Sequence, residues 1–191
     1  RQIVDVEHCP IATDAVNDAY QATRQELLSR PPRKKKGATL LFRQANNCDN
    51  FVTSSHQEYI STRVNDYDFT YRAGNFFQNN YFVLPYMVNA VIDHAKPNMT
   101  HLVDCYCGSG LFAISSSDHF ETIVGIEIND QAVQEAINNA RANNVTNCEF
   151  RAASAEAIFA DIQDYPKGTT AVVLDPPRKG CSPEFLEQLY D

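Results

Sequence analysis

HLVDCYCGSGLF, residues 101–112, decides how the rest of the chain is read. A short apolar run, Leu102 and Val103, ends at Asp104; Gly108 and Gly110 follow, and then a segment compatible with a helix. Strand, glycine turn and helix in that order bring backbone N–H groups against a nucleotide-like ligand. The third glycine of a dinucleotide fingerprint is missing, with Ala113 in its place. Alanine is tolerated there, so the turn alone does not separate one nucleotide ligand from another.

Working outward, the rhythm after His101 alternates. Strands are expected at 102–105, 123–128, 148–151 and 170–174, with helices at about 111–118, 130–143 and 154–163. The middle helix has the clearest apolar stripe, Val133, Ala136, Ile137 and Ala140. Such alternation builds βαβ units and a parallel sheet with right-handed crossovers. Upstream the pattern differs. Thr13 or Asp14 caps a helix that runs to about Ser29 and ends at the pair Pro31 and Pro32. Short β-type runs at 38–43, 51–53, 58–64 and 68–72, separated by Asn, Asp and Ser clusters, predict a small antiparallel sheet. A helix from about Val83 to Ala95 follows, with Pro85 in its first turn. The boundary between the two regions falls near residues 75–98, giving a small α+β domain over 1–75 and a parallel-sheet domain over 76–191.

With 43% hydrophobic residues in 191, a packed core is feasible. No run approaches bilayer length, and no secretory signal opens the sequence. The six cysteines (Cys9, Cys48, Cys105, Cys107, Cys148 and Cys181) lack regular spacing. A disulfide at Cys105 or Cys107 would interfere with strand and turn, so free thiols in a reducing, intracellular compartment are expected. Five scattered histidines give no metal-ligand spacing, and no metal site is predicted. A net charge of −8 argues against a non-specific nucleic-acid coat. Arg30, Arg33, Lys34, Lys35, Lys36 and Arg43 nevertheless crowd around Pro31 and Pro32. That run is either a solvated loop or a local phosphate contact.

Two further stretches narrow the ligand. VGIEI, the next strand, ends in Glu127, about twenty residues after the turn, where a carboxylate accepts hydrogen bonds from ribose hydroxyls. NAD and S-adenosylmethionine share that need. The last strand leads into DPPRKGC, residues 175–181, which sets Asp175 at the C-terminal end of a parallel strand, where open α/β sheets bind ligands. Pro176 and Pro177 each fix φ and hold the segment extended. A rigid Asp-Pro-Pro segment beside an acidic turn is typical of methyltransferases acting on nucleobases. Amino-directed ones carry an aromatic residue after the prolines, where Arg178 stands here.

FFQNN (76–80), DCYCGSGLF (104–112), GIEIND (125–130) and DPPRKGC (175–181) together resemble, in order and spacing, the RNA uracil-5-methyltransferases. The fuller similarity is to the branch that makes 5-methyluridine in the T-loop of tRNA, and to its fungal members. HCPIAT (8–13) and KGATLLFR (36–43) resemble that family's segment before the methyltransferase fold, so the likeness covers nearly the whole chain. The resemblance implies a Rossmann-like class I methyltransferase sheet, incomplete at its C-terminus, behind a small α+β domain. It implies S-adenosylmethionine as cofactor, held by Gln78, Tyr106, Glu127 and Asp175. It also implies tRNA as partner, with Arg33, Lys34, Lys35 and Lys36 as candidate phosphate contacts.

The implied chemistry needs a cysteine, because uracil C5 is a poor nucleophile until a thiolate adds to C6. In the family that thiol lies in an S-C-N segment on a later strand, and the base that removes the C5 proton is a later Glu. Both are expected C-terminal to Asp191, so the chain is expected to be part of a longer protein and inactive alone. Neither Cys107 nor Cys181 is assigned the role. Arg178 stays open between surface charge, RNA phosphate contact and loop organiser. Two other readings remain: a ribosomal RNA uracil-5-methyltransferase sharing all four motifs, and an RNA-binding or chaperone-like module on a vestigial fold. The intact Gln78, Glu127 and Asp175 count against the second. An NAD-dependent oxidoreductase is disfavoured by DPPR and FFQNN.

Overall fold

The structure, a computed structural model, describes residues 4–31, 39–46, 51–154 and 165–190. It divides into two compact units, Arg1–Ser61 with Arg72–Asn75 and Thr62–Tyr71 with Phe76–Asp191.

In the first unit, helix α1 (Asp14–Ser29) starts at Thr13, whose hydroxyl accepts the Val16 N–H at 3.3 Å. Asn17 is buried and donates to the carbonyls of Cys9 and Ala12 at 3.1 and 3.3 Å, tying the preceding HCPIAT segment onto the helix. Strand β1 (Arg43–Gln44) pairs antiparallel with β2 (Val52–Thr53). The strand expected over 38–43 therefore begins only at Arg43: a two-residue β2 offers ladder partners to Arg43 and Gln44 and to nothing earlier. Phe42 instead meets the Tyr20 ring of α1 edge-on at 5.9 Å.

Strands β3 (Tyr59–Val64) and β4 (Tyr67–Arg72) form a hairpin around Asn65, which takes φ 51°, a conformation asparagine tolerates. The expected single antiparallel sheet is thus two separate strand pairs.

The second unit is built on four parallel strands: β5 (His101–Cys105), β6 (Thr122–Glu127), β7 (Cys148–Ala152) and β8 (Thr170–Leu174). Their order is β7-β6-β5-β8. The chain steps outward from β5 to β7 and returns to the other side of β5 for β8. Such a reversal opens a crevice at the carboxyl ends of the two strands where it occurs. Register aligns the strand ends, with Cys105 opposite both Ile126 and Leu174.

The central strands supply the core through Leu102, Val103, Cys105, Ile123, Val124 and Ile126, whereas β8 is half-exposed along its whole length. Helix α2 (Leu84–Ala95) buries Leu84, Val88 and Ile92. Helix α3 (Leu111–Ser115) stops short of the expected 118 and passes into a 3-10 turn, Ser117–His119. The stop coincides with the polar run SSSD at 115–118, whose residues have low helix propensity. Helix α4 (Asp130–Ala142) is capped by Asn129, whose side chain accepts from the N–H groups of Gln131 and Ala132. A final helix, α5 (Pro183–Tyr190), places Phe185 in the core. The helix expected over 154–163 falls almost entirely outside the described residues. Among those described, no helix is long and apolar enough to cross a membrane.

Candidate functional site

At the end of β5 the backbone turns sharply. Tyr106, Gly108 and Gly110 all have positive φ, at 64°, 54° and 91°. Cys107 still bonds like a strand residue, its N–H donating to Ile126 O at 3.0 Å, and the Gly110 N–H then closes on Cys107 O at 2.9 Å. A side chain at Gly110 would be strained by the φ of 91°, and its Cβ would lie 2.8 Å from Ile114 Cδ1 and 3.2 Å from Ala136 Cβ. Above Gly108 the reverse holds, for an added Cβ would meet nothing within 4 Å. The turn is closed on its helix side and open at Gly108.

Three carboxylates gather around it. Asp104 is fully buried; its Oδ2 accepts the Ala113 N–H at 3.0 Å in the first turn of α3, and its Oδ1 has no partner. Burial pushes this carboxyl up from 3.8 to about 7; the Ala113 N–H opposes the shift, and the charges of Asp175 and Glu127 add to it. Glu127 closes β6. Its Oε2 accepts the Gly108 N–H at 3.2 Å and its Oε1 the Asn129 N–H at 2.9 Å, so it is tied to the open glycine. Asp175 follows β8 and accepts from Gln78 Nε2 at 3.2 Å.

Gln78 is itself anchored through its neighbour. Phe77 is buried and stacks on Tyr71 of β4 at 4.1 Å between centroids and 8° between planes. Tyr106 lies level with Glu127 and Asp175, each one step past the aligned strand ends. Its ring is half-buried, edge-on to Phe185 at 6.4 Å. Gln78 and Asp175 are thus in direct contact, and Glu127 reaches the turn that Tyr106 begins.

A model of the tRNA (Uracil-5-)-methyltransferase family matches residues 13–190. The chain belongs to that family. Among its relatives are two fungal proteins named tRNA (uracil(54)-C(5))-methyltransferase. The one from Schizosaccharomyces pombe is 38% identical over 203 residues, covering 100% of this chain and 38% of the relative. The one from Saccharomyces cerevisiae is 34% identical over 231 residues, covering 98% and 36%. The chain therefore spans little more than a third of these curated relatives. A solved Pyrococcus abyssi tRNA (uracil-54, C5)-methyltransferase, in complex with S-adenosyl-L-homocysteine, shares the fold at a TM-score of 0.68. It is 19% identical, over 98% of this chain and 57% of the other.

Several features of this family member lie beyond what its sequence announces. Asp104 is one, although a signal was present: an acid closing an apolar strand directly before a glycine turn is an unusual thing to bury. Ile128, next to Glu127, leaves 74% of its surface exposed at the mouth of the site. Glu135 and Asn139 of α4 are buried within the helix face expected to be apolar, while Ile137 of the expected stripe is half-exposed.

Burial pushes Cys105 and Cys148 up to about 12 and Cys107 well above its ordinary value, so none of the three supplies a thiolate at neutral pH. Cys181 packs, half-buried, against the core that holds Val103 and Ile126. Arg178 is exposed. Among the described residues no cluster of His, Cys, Asp or Glu is arranged to hold a metal. Arg33, Lys34, Lys35 and Lys36 lie outside the described residues.

Proposed function

We propose that this chain forms the S-adenosylmethionine-binding part of an enzyme that methylates uracil C5 in the T-loop of tRNA. One observation carries the reading: at the carboxyl ends of β5, β6 and β8, Glu127 is tied to a glycine with open space above it, and Asp175 is paired with Gln78. Family membership and the names of the fungal relatives support the same substrate.

The residues fit the cofactor's chemistry. Each Glu127 oxygen carries one backbone N–H and keeps a lone pair for a ribose hydroxyl. The space above Gly108 admits a ligand against the backbone, and the exposed Ile128 offers an apolar surface beside the carboxylate. The acidic side chains of Glu127 and Asp175 suit a ligand that bears cationic sulfonium and ammonium groups. When bound, S-adenosylmethionine supplies an electrophilic methyl group on its sulfonium. Tyr106 lines the turn; its half-buried ring braces the backbone through Phe185. Asp175 holds Gln78 through one amide hydrogen, which leaves the rest of that amide to read the edge of a uracil or to meet the cofactor. A T-loop uridine has to leave its stack to reach such a site.

The nucleophile for uracil C6 is not supplied by Cys105, Cys107 or Cys148, which are held as neutral thiols. In the family that this chain resembles, the nucleophile is the cysteine of an S-C-N segment and the general base a later Glu. This chain alone is therefore expected to bind cofactor and to leave unmodified tRNA unmethylated; turnover in a methyl-transfer assay would refute that part. For the cofactor, calorimetric titration should show S-adenosylmethionine binding and no measurable binding of NAD. Glu127→Gln should weaken S-adenosylmethionine about tenfold or more, the worth of a charge-assisted hydrogen bond. NAD binding as tight as S-adenosylmethionine, or an unaltered Glu127→Gln, would sink the assignment.

A further inference from the structure

The polar residues buried in α4 are expensive unless each polar atom finds a partner. Asn139, 2% exposed, uses both ends of its amide on the backbone of two different elements. Its Nδ2 donates to Ser109 O, at the centre of the glycine turn, at 3.0 Å, and its Oδ1 accepts the Thr70 N–H of β4 at 2.8 Å. The same turn residue donates its hydroxyl to Glu135 at 2.9 Å, and Glu135 accepts from Gln131 at 3.3 Å, so the turn rests on a connected polar bed rather than on one bond.

One helical turn further on, Asn143 grips β4 as well, accepting the Asp68 N–H at 2.9 Å and donating to Asp68 O at 2.7 Å. Its Nδ2 also donates to Asn139 O at 2.8 Å, so it fastens strand to helix at a distance from the turn. β4 also carries Tyr71, the ring on which Phe77 stacks beside Gln78. One strand thus registers two parts of the site: Gln78 through the aromatic stack and the glycine turn through Asn139.

We infer that Asn139 is a positioning residue: it holds the turn between Gly108 and Gly110 in its ligand-receiving shape against β4 and so sets the turn's separation from Gln78. The inference rests on reading that turn as the cofactor's seat. Its physical basis is that Ser109 O belongs to the peptide leading into Gly110. Releasing that carbonyl frees the peptide to rotate, and Gly110, on its far side, opposes rotation least.

The test uses the full chain and two measurements: hydrogen exchange of residues 107–111 without ligand, and calorimetric affinity for S-adenosylhomocysteine well below the melting temperature. Asn139→Asp keeps the acceptor for Thr70 and sets an acceptor against Ser109 O. It should speed exchange in the turn at least tenfold and weaken binding by a similar factor. Asn143→Ala should lower the melting temperature while leaving both readouts within twofold of wild type, which a merely structural role for Asn139 would not predict. If Asn139→Asp does not fold, Asn139→Ser is read in the same way. Unchanged exchange in the Asn139 variant, or equal shifts in the Asn143 variant, overturns the inference. A wild type that binds neither S-adenosylmethionine nor its demethylated product would refute the cofactor reading instead, and the exchange arm would still decide whether Asn139 positions the turn.

Discussion

Asp104 enters the core with one oxygen bonded to Ala113 and the other without a partner, and its neighbours Asp175 and Glu127 carry the same charge. Its carboxyl ordinarily titrates at 3.8, and here at about 7. Between those values the native state keeps a proton that the unfolded chain gives up. Stability therefore falls as pH rises through that window, and the loss is complete above about 7. The shift corresponds to roughly 4 kcal/mol. Asp104→Asn removes the titration and keeps an oxygen for Ala113. Its melting temperature relative to wild type should move in the variant's favour from pH 5 to pH 8 in thermal melts. A difference constant over that range would mean that Asp104 does not titrate there.

Among the elements, the β3–β4 hairpin does more than its sequence suggests. Tyr71 is 2% exposed, stacks on Phe77 and shares a hydrogen bond with Thr62 Oγ1 at 2.9 Å. Tyr71→Phe keeps the stack and should cost about 1 kcal/mol, the net worth of one buried hydrogen bond. Tyr71→Ala should cost about 3–5 kcal/mol and also weaken S-adenosylhomocysteine binding, because Phe77 loses its seat and Gln78 moves with it. Urea unfolding with parallel titrations separates the two variants; equal affinity in both would remove the hairpin from the site. The elements also show where local pattern stops informing. β5 to β8 and α4 lie where their apolar residues place them in the chain. β1 begins late because only its partner's length decides where a ladder exists. α3 ends early, in a run of three serines, and passes into a 3-10 turn.

At the scale of the whole molecule, charge dominates. An overall charge of −8 repels RNA, so on the tRNA reading proposed above attraction has to be local, and the stretch from Arg33 to Lys36 is the densest basic run. Reversing the charge of Lys34, Lys35 and Lys36 should weaken tRNA binding and flatten its dependence on salt, by about 0.7–0.9 in log–log slope for each phosphate no longer neutralised. Filter-binding or fluorescence titrations from low to physiological salt measure this. An unchanged slope returns the run to a solvated loop. The half-exposed apolar strand β8 forms one edge of the sheet among the described residues.

Sequence by itself determined the alternation of strands and helices, the glycine turn, and the acids at the strand ends, because each is written in local period or composition. It also named Gln78 and Asp175, through motifs 97 residues apart. That those two side chains touch followed only from the strand order, which returns β8 to the far side of β5 and brings its end beside the turn. The same holds for Asp104, Glu135 and Asn139. As single letters they are ordinary polar residues at the end of a strand and along a helix. What buries them, raises the carboxyl of Asp104 and gives Asn139 a partner on each side is the approach of β4, α4 and the turn to one another, and no stretch of sequence contains all three.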